Sequence, residues 1–194
     1  YPTLIRPDVD VVTDGVVAVE PGGIVTADGT RYPAEVLVFG TGFRTTEFLS
    51  PVRITGRDGR VLDEDWADGA SAFLGLARPG FPNLFMMYGP NTNLGHNSIL
   101  FMIEQQVGAI VDVLRRMVVE RIAAVEPTTA SMEEFDAFVE RAVGRTVWAE
   151  DCHSWYKNAA GRVTNNWPGP TVAYRRRLRD VPASAWAVRP RPVG

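Results

Sequence analysis

Residues 89–98 form the stretch of this chain whose residue types are best suited to binding a ligand. The stretch follows an apolar run at residues 81–88 and precedes an amphipathic pattern that begins at Ile99. We expect a strand, a Gly/Pro/Asn loop and a helix, with the N–H groups of Asn97, Ser98 and Ile99 free above the strand end. Ligands bind at that place in open α/β sheets. The loop is uncharged and no P-loop lysine follows it, which favours a flat heterocycle over a phosphate.

The same loop is equally typical of a capped turn that binds nothing, so both interpretations stand on the residues alone. His96, in a Gly/Asn turn, is typical of a structural hydrogen-bonded residue rather than an acid–base group. Cys152 and His153 are adjacent, and adjacent side chains rarely face each other as a nucleophilic pair. The consecutive arginines 175–177 predict a solvated helix face rather than a phosphate site. Two histidines and one cysteine form no metal-ligating pattern.

The elements that must position this loop are predicted from hydrophobic periodicity. Strands are expected at residues 9–13, 15–19 and 22–26, the last two forming a hairpin around Glu20-Pro21, with another tight turn at residues 28–30. Residues 34–39 are almost continuously apolar, which predicts a central strand buried on both faces. That strand ends at Gly40-Thr41-Gly42, where small residues let the backbone approach a ligand or a neighbouring domain.

Three helices are predicted in the second half of the chain. A helix over residues 99–117 takes its N-cap from Asn97 or Ser98. A capping box at Ser131 opens another helix, which Gly144 closes. A third, short helix is expected at residues 172–178. Residues 44–80 are loop-like, with Trp66 and Phe73 as anchors, and residues 189–192 are expected to be disordered.

Composition limits the class of protein. The chain has 194 residues, 45% of them hydrophobic, enough for one domain or parts of two. A net charge of −3 gives no case for nucleic acid, and no apolar run is long enough to span a membrane. The single cysteine is compatible with a reducing cytoplasm. The start at Tyr1, without an initiator Met or signal peptide, leads us to expect a piece of a longer protein.

Three motifs in order carry a resemblance to a known family. They are Thr41-Gly42-Phe43 after a strand, Gly89-Pro90-Asn91 through Gly95-His96-Asn97-Ser98 leading to Met102-Ile103-Glu104-Gln105, and a tail with Ser154-Trp155-Tyr156 and Asn166-Trp167-Pro168-Gly169. Together they resemble the C-terminal portion of class B flavoprotein monooxygenases, the Baeyer–Villiger branch in particular, from Tyr1 to about Asp180. The family has Ala-Thr-Gly where this chain has Gly40-Thr41-Gly42, a change that keeps the first residue small.

The resemblance implies an α/β fold, the C-terminal part of a flavoprotein with two Rossmann-like dinucleotide-binding domains, here incomplete. Residues 1–43 would hold the last strands of the NADPH-binding domain and the crossover. Residues 44–130 would be the C-terminal part of the FAD-binding domain with an inserted loop region. Residues 131–194 would be a helical and loop-rich tail.

The resemblance also implies a reaction in which NADPH, FAD and O2 insert oxygen next to the carbonyl of a small-molecule ketone. The residues expected to contact FAD or NADPH are Thr41, Gly42, Gly89, Pro90, Asn91, Asn97, Ser98, Ile99 and Trp155. Our hypothesis is that the helix N-terminus at residues 97–99 holds the pyrimidine edge of the flavin, which is anionic when reduced. Trp155 either contacts the nicotinamide or serves as a packing anchor.

The chain lacks both G-x-G-x-x-G loops of the family, and the active-site arginine is expected upstream of Tyr1. We therefore expect the chain alone to be inactive, without a catalytic residue of its own. Its partner would be the missing N-terminal half, and the exposed apolar surface of the piece predicts self-association. Two alternatives remain, a flavin N- or S-oxygenase and a non-catalytic module that binds a partner.

Overall fold

The computed structural model describes residues 2–150 and 154–192, so Cys152 and His153 lie outside the described residues. The chain divides into two compact units, residues 1–43 and 44–194, and each is described by itself. In the described residues no helix has the length and apolar character needed to cross a membrane.

The first unit contains a short 3₁₀ helix, Pro2–Ile5, and a three-stranded antiparallel sheet in the order β1-β2-β3. Its strands are β1 Val16–Glu20, β2 Gly23–Thr26 and β3 Arg31–Pro33. Glu20 pairs with Gly23, which confirms the predicted hairpin. The second turn is confirmed as well: Asp28 accepts hydrogen bonds from the hydroxyl of Thr26 and the N–H of Thr30, and these lower its pKa to about 2.

Two strand predictions in this unit are wrong. Residues 9–13 and 34–39 have no regular secondary structure. Val36, Val38 and Phe39 are 78%, 91% and 74% exposed rather than buried on both faces. A central strand needs a hydrogen-bonded neighbour on each side, and no strand in the described part of the chain pairs with residues 34–39.

The described residues of the second unit form helices and one strand pair. Its elements are α1 Leu62–Asp65, α2 Ile99–Val119, β4 Ile122–Pro127, α3 Thr129–Val143, α4 Thr171–Arg179 and β5 Trp186–Pro190, with 3₁₀ turns at Arg57–Gly59, Val147–Ala149 and Ala183–Ala185. β4 and β5 pair antiparallel. The predicted disorder at residues 189–192 is therefore wrong: β5 continues to Pro190, and the N–H of Arg191 donates to the carbonyl of Arg121 at 2.8 Å.

The predicted strand at residues 81–88 is an irregular segment instead. Asn83 and Tyr88 adopt left-handed φ angles of 62° and 56°, which interrupt an extended chain. The N–H of Asn83 donates to Val125 in β4, whereas that of Met86 donates to Leu76. The backbone groups of this segment therefore hydrogen-bond to several different elements instead of to one neighbouring strand. In the described residues, no parallel strand lies beside the segment.

The predicted helices are confirmed, although α3 and α4 start earlier than predicted. α2 runs two residues beyond the predicted end, and its N-cap Ser98 accepts the N–H of Phe101 at 3.4 Å. α3 begins at Thr129 because Thr128 is the N-cap, its hydroxyl accepting the N–H of Ser131 at 3.2 Å. The capping box placed at Ser131 is therefore wrong, although the helix ends at Gly144 as predicted. The third helix is α4.

Helices α2, α3 and α4 share the larger core cluster, around Met102, Phe135, Trp167 and Tyr174. Phe73 is buried in that cluster and packs edge-to-face on Phe135, with ring centroids 5.9 Å apart. Trp66 is the centre of a smaller cluster under the otherwise loop-like residues 44–80. Both predicted anchors are thus confirmed, since each is buried in a core cluster.

Candidate functional site

The loop at residues 89–93 is clamped against the tail at residues 163–167. The N–H of Asn91 donates to the carbonyl of Thr164 at 2.8 Å, and the N–H of Asn93 donates to that of Asn165 at 2.9 Å. In return, the N–H of Trp167 donates to the carbonyl of Asn93 at 2.8 Å. Two of the motifs found in the sequence therefore form one structural unit, which we call the clamp.

The side chain of Asn91 braces the clamp. It is 4% exposed, and its Nδ2 donates to the carbonyls of Val163 at 3.0 Å and Asn166 at 3.3 Å. Its φ of 57° is left-handed, a conformation that asparagine tolerates better than most residues. The side-chain amide hydrogens of Asn91 are thus used in hydrogen bonds that fix the shape of the loop. Contact between Asn91 and a cofactor stays a prediction.

Glycines allow the backbone of this loop to pass close to its neighbours. A Cβ on Gly89 would lie 2.4 Å from the carbonyl oxygen of Gly75, and a Cβ on Gly75 would lie 2.1 Å from Cγ2 of Thr92. Gly75 also has a left-handed φ of 66°. Pro90 is buried between these segments, so Gly89 and Pro90 are part of the packed base of the site.

The N-terminus of α2 is open to solvent. Asn97 and Ser98 are exposed and Ile99 is half-buried, with no acidic side chain in the first turn. One of the three N–H groups expected to be free is not, because the Oδ1 of Asn97 accepts the N–H of Ser98 at 2.7 Å. The positive end of the helix dipole faces outward without a carboxylate to compensate it.

A cavity of about 270 Å³ brings the clamp and Trp155 together. Its walls include Thr45, Phe48, Tyr88, Gly89, Asn93 and Trp155. We call it the Tyr88 cavity. Of the residues predicted from sequence it contains Gly89 and Trp155, whereas a larger cavity of about 440 Å³ between α2 and α4 contains none of them.

Trp155 is held by its backbone while its ring stays accessible. Its carbonyl accepts hydrogen bonds from the hydroxyl of Thr45 and from Nδ2 of Asn165. Its side chain is 57% exposed, and its ring lies 4.9 Å from that of Tyr156. The buried anchor in this part of the tail is Trp167, which is 1% exposed. Trp155 therefore does not fill a core, and its contact with the nicotinamide stays a prediction.

Tyr88 and Asn93 are site residues that the sequence analysis did not single out. The phenol of Tyr88 donates to Oδ1 of Asn93 at 2.8 Å, and Nδ2 of Asn93 donates to Oδ1 of Asn166 at 2.9 Å. Partial burial raises the pKa of Tyr88 above its usual value, and a phenol is in any case neutral at pH 7 and able to donate its hydrogen. Their position within or next to the Gly-Pro-Asn motif was the signal that could have identified them.

The remaining predicted residues lie elsewhere. Thr41 and Gly42 belong to the first unit, where both are exposed in irregular backbone and Gly42 has a φ of 75°. His96 is exposed in the turn before α2. The arginines of α4 are solvent-exposed as predicted, and the guanidinium of Arg177 lies 3.4 Å from the ring centre of Phe138.

Comparison with known proteins gives the class first. The fold is similar to the closed crystal structure of cyclohexanone monooxygenase, with a TM-score of 0.81 and 28% identity over 96% of this chain and 36% of that one. It is also similar to OTEMO in complex with FAD and NADP, with a TM-score of 0.80 and 28% identity over 93% and 34%. The chain has the fold of the C-terminal part of a flavoprotein with two dinucleotide-binding domains.

The sequence comparison then gives the branch. The chain is 42% identical over 196 residues to a Baeyer–Villiger monooxygenase of Streptomyces coelicolor, covering all of this chain and 38% of the relative. No family model matches. In sequence and fold the chain corresponds to a C-terminal segment of the Baeyer–Villiger monooxygenases, which confirms the resemblance carried by the motifs. It spans less than two-fifths of the length of the curated relatives it matches.

Proposed function

We propose that this chain is part of an FAD- and NADPH-dependent monooxygenase that inserts oxygen next to the carbonyl of a small-molecule ketone. The observation that carries the proposal is the clamp, which joins the Gly-Pro-Asn loop to the tail and places Trp155 and Gly89 in one cavity. The similarity to a Baeyer–Villiger monooxygenase along the whole chain supports the same reaction class.

The residues present fit a flavin. The exposed N-terminus of α2 would face the pyrimidine edge at Asn97, Ser98 and Ile99. Because Asn97 already accepts the N–H of Ser98, the helix dipole would contribute most to stabilising the negative charge of the reduced ring. Bound FAD would supply the redox and O2 chemistry, with NADPH as the reductant. The hydroxyl of Thr164 and Nδ2 of Asn166 are buried without a partner among the described residues, as is expected where a further group completes a site.

The Tyr88 cavity is where we assign the nicotinamide cofactor. The accessible indole of Trp155 would stack on or close over a flat ring, with Asn93 and Tyr88 offering polar groups at the wall. In the first unit, Thr41 and Gly42 would let the backbone approach a cofactor. In the second unit, Gly89, Pro90 and Asn91 would shape the packed base of the site.

We further propose that the chain alone is inactive. It has no G-x-G-x-x-G loop and none of the residues we expect to carry catalysis, so its partner in activity is the N-terminal half that the relatives possess. The ketone and O2 are the expected substrates. The use of NADPH and the single cysteine favour a cytoplasmic location.

Isolation of the natural protein that contains this chain tests the proposal. We expect a mass well over twice 21.3 kDa, bound FAD, and NADPH oxidation that depends on added ketone and yields an ester or lactone. N- or S-oxides without esters would instead support a heteroatom oxygenase. A protein near 21.3 kDa without flavin would overturn the proposal in favour of a partner-binding module.

A further inference from the structure

Gln106 lies in α2 with its side chain fully buried, and both ends of its amide are hydrogen-bonded. It is 0% exposed. Its Oε1 accepts the N–H of Tyr88 at 3.0 Å, and its Nε2 donates to the hydroxyl of Tyr174 at 2.9 Å. An apolar side chain would fill the same space without the desolvation that an amide suffers there. The presence of an amide at position 106 is therefore better explained by its hydrogen bonds to Tyr88 and Tyr174 than by packing alone.

The orientation of this amide follows from which groups can donate. The hydroxyl of Tyr174 donates to the carbonyl of Leu74 at 2.6 Å, and a carbonyl can only accept. The Tyr174 oxygen is thus left to accept from Nε2 of Gln106, which turns Oε1 toward Tyr88. An ionised glutamate could not donate to Tyr174, and a methionine could satisfy neither neighbour.

The group held at the other end has a strained backbone. Tyr88 has a left-handed φ of 56°, a conformation that is rare for bulky residues and persists only where the surroundings fix it. Its N–H is the one that Gln106 accepts, and its phenol donates to Asn93. Because Tyr88 and Asn93 both line the Tyr88 cavity, the hydrogen-bond chain from Leu74 ends at the cavity wall.

We infer that Gln106 is a positioning residue for the nicotinamide cofactor: it holds Tyr88 in its left-handed conformation and so keeps the tyrosine ring in the cavity wall. Tyr174 is the positioning residue behind it, because it orients the amide. This inference rests on the proposed function, which assigns the Tyr88 cavity to NADPH.

A double-mutant cycle in the full-length protein tests the inference, with NADP+ affinity measured by calorimetry. We expect Gln106→Met to weaken NADP+ binding about tenfold and to raise KM for NADPH while kcat is retained. Gln105→Met, a change at the neighbouring position in α2, should leave affinity unchanged. In a Tyr88→Gly background, Gln106→Met should have no further effect, since glycine adopts left-handed φ unaided.

The outcomes separate the inference from the proposed function. A wild-type protein that does not bind NADP+ would overturn both. Normal binding by Gln106→Met, or an equal loss in the Tyr88 and Tyr88→Gly backgrounds, would overturn the inference alone. Should Gln106→Met fail to fold, Tyr174→Phe serves instead: it removes the hydroxyl that orients the amide, and we expect NADP+ to bind about threefold more weakly. An unchanged affinity in Tyr174→Phe would then overturn the inference.

Discussion

At the scale of single residues, Ser98 offers the most direct test of the flavin contact. Its backbone lies at the exposed N-terminus of α2, and its hydroxyl caps the helix. In the full-length protein, Ser98→Pro removes both the N–H and the cap. We expect FAD to bind about tenfold more weakly, as measured by titration of the apoprotein. Ser98→Ala, which loses only the cap, should change FAD affinity much less.

Unchanged FAD affinity and an unchanged rate of flavin reduction in Ser98→Pro would refute this contact. The helix terminus would then be a capped turn, the alternative that the residues alone left open. Because Asn97 already occupies the N–H of Ser98, a loss confined to the reduction rate would indicate that the helix dipole matters more than a direct hydrogen bond.

The crowding around Gly75, at the base of the clamp, leads us to expect a loss of stability when this glycine is replaced. An alanine there would adopt a left-handed φ and place its Cβ against Thr92 and the carbonyl of Pro90. We expect Gly75→Ala to lower the free energy of unfolding by about 3 kcal/mol, measured by urea denaturation. Gly161 has a similar φ of 76° with open space around it, so Gly161→Ala should cost about 1 kcal/mol. Equal costs at the two positions would show that crowding at the clamp is unimportant.

At the scale of elements, the start of α3 can be tested by its cap. Thr128→Ala should lower the free energy of unfolding by about 1 kcal/mol, because the N–H of Ser131 loses its acceptor. Ser131→Ala should cost much less, since that residue lies inside the helix. Thermal unfolding of both variants gives the comparison, and a larger loss for Ser131→Ala would restore the capping box at Ser131.

Helices were predictable from sequence because their hydrogen bonds and periodicity are local, as α2 and α4 show. The error at α3 arose because Thr128 and Ser131 are both good caps three residues apart. Strands depend on partners, and nothing local in residues 34–39 or 81–88 reports whether a partner is present. β5 was missed because Pro190 at its end and Pro192 just beyond it resemble a flexible tail, and because its partner β4 is distant in sequence. Tyr88 and Gln106 were missed for the same reason, since their roles depend on contacts that only folding creates.

For the molecule as a whole, the exposed apolar surface of residues 36–43 bears on whether the chain associates with itself. Val38 and Phe39 are 91% and 74% exposed. We expect the isolated chain to self-associate as its concentration rises, because contiguous exposed apolar residues seek cover. Sedimentation velocity should show larger species that diminish when Val38 and Phe39 are replaced by lysine.

The matched control is Val172→Lys, which places the same charge at a 62% exposed valine on α4. It should leave the association unchanged. A monodisperse monomer at all concentrations would refute the prediction. It would show that residues 36–43 remain exposed to solvent without causing association. Association that persists when both Val38 and Phe39 are replaced by lysine would show that the self-association interface lies elsewhere in the chain.

The clamp also has a consequence for the order in which the site comes into being. Asn91 reaches partners 72 and 75 positions further along the polypeptide. Closing so long a loop costs conformational entropy before the contacts that stabilise it can form. Contacts between residues so far apart in sequence therefore make this region slow to fold. During synthesis, the Gly-Pro-Asn loop leaves the ribosome well before residues 163–167 exist to receive it. The clamp, and any cofactor site that depends on it, should therefore form only after residues 163–167 have left the ribosome.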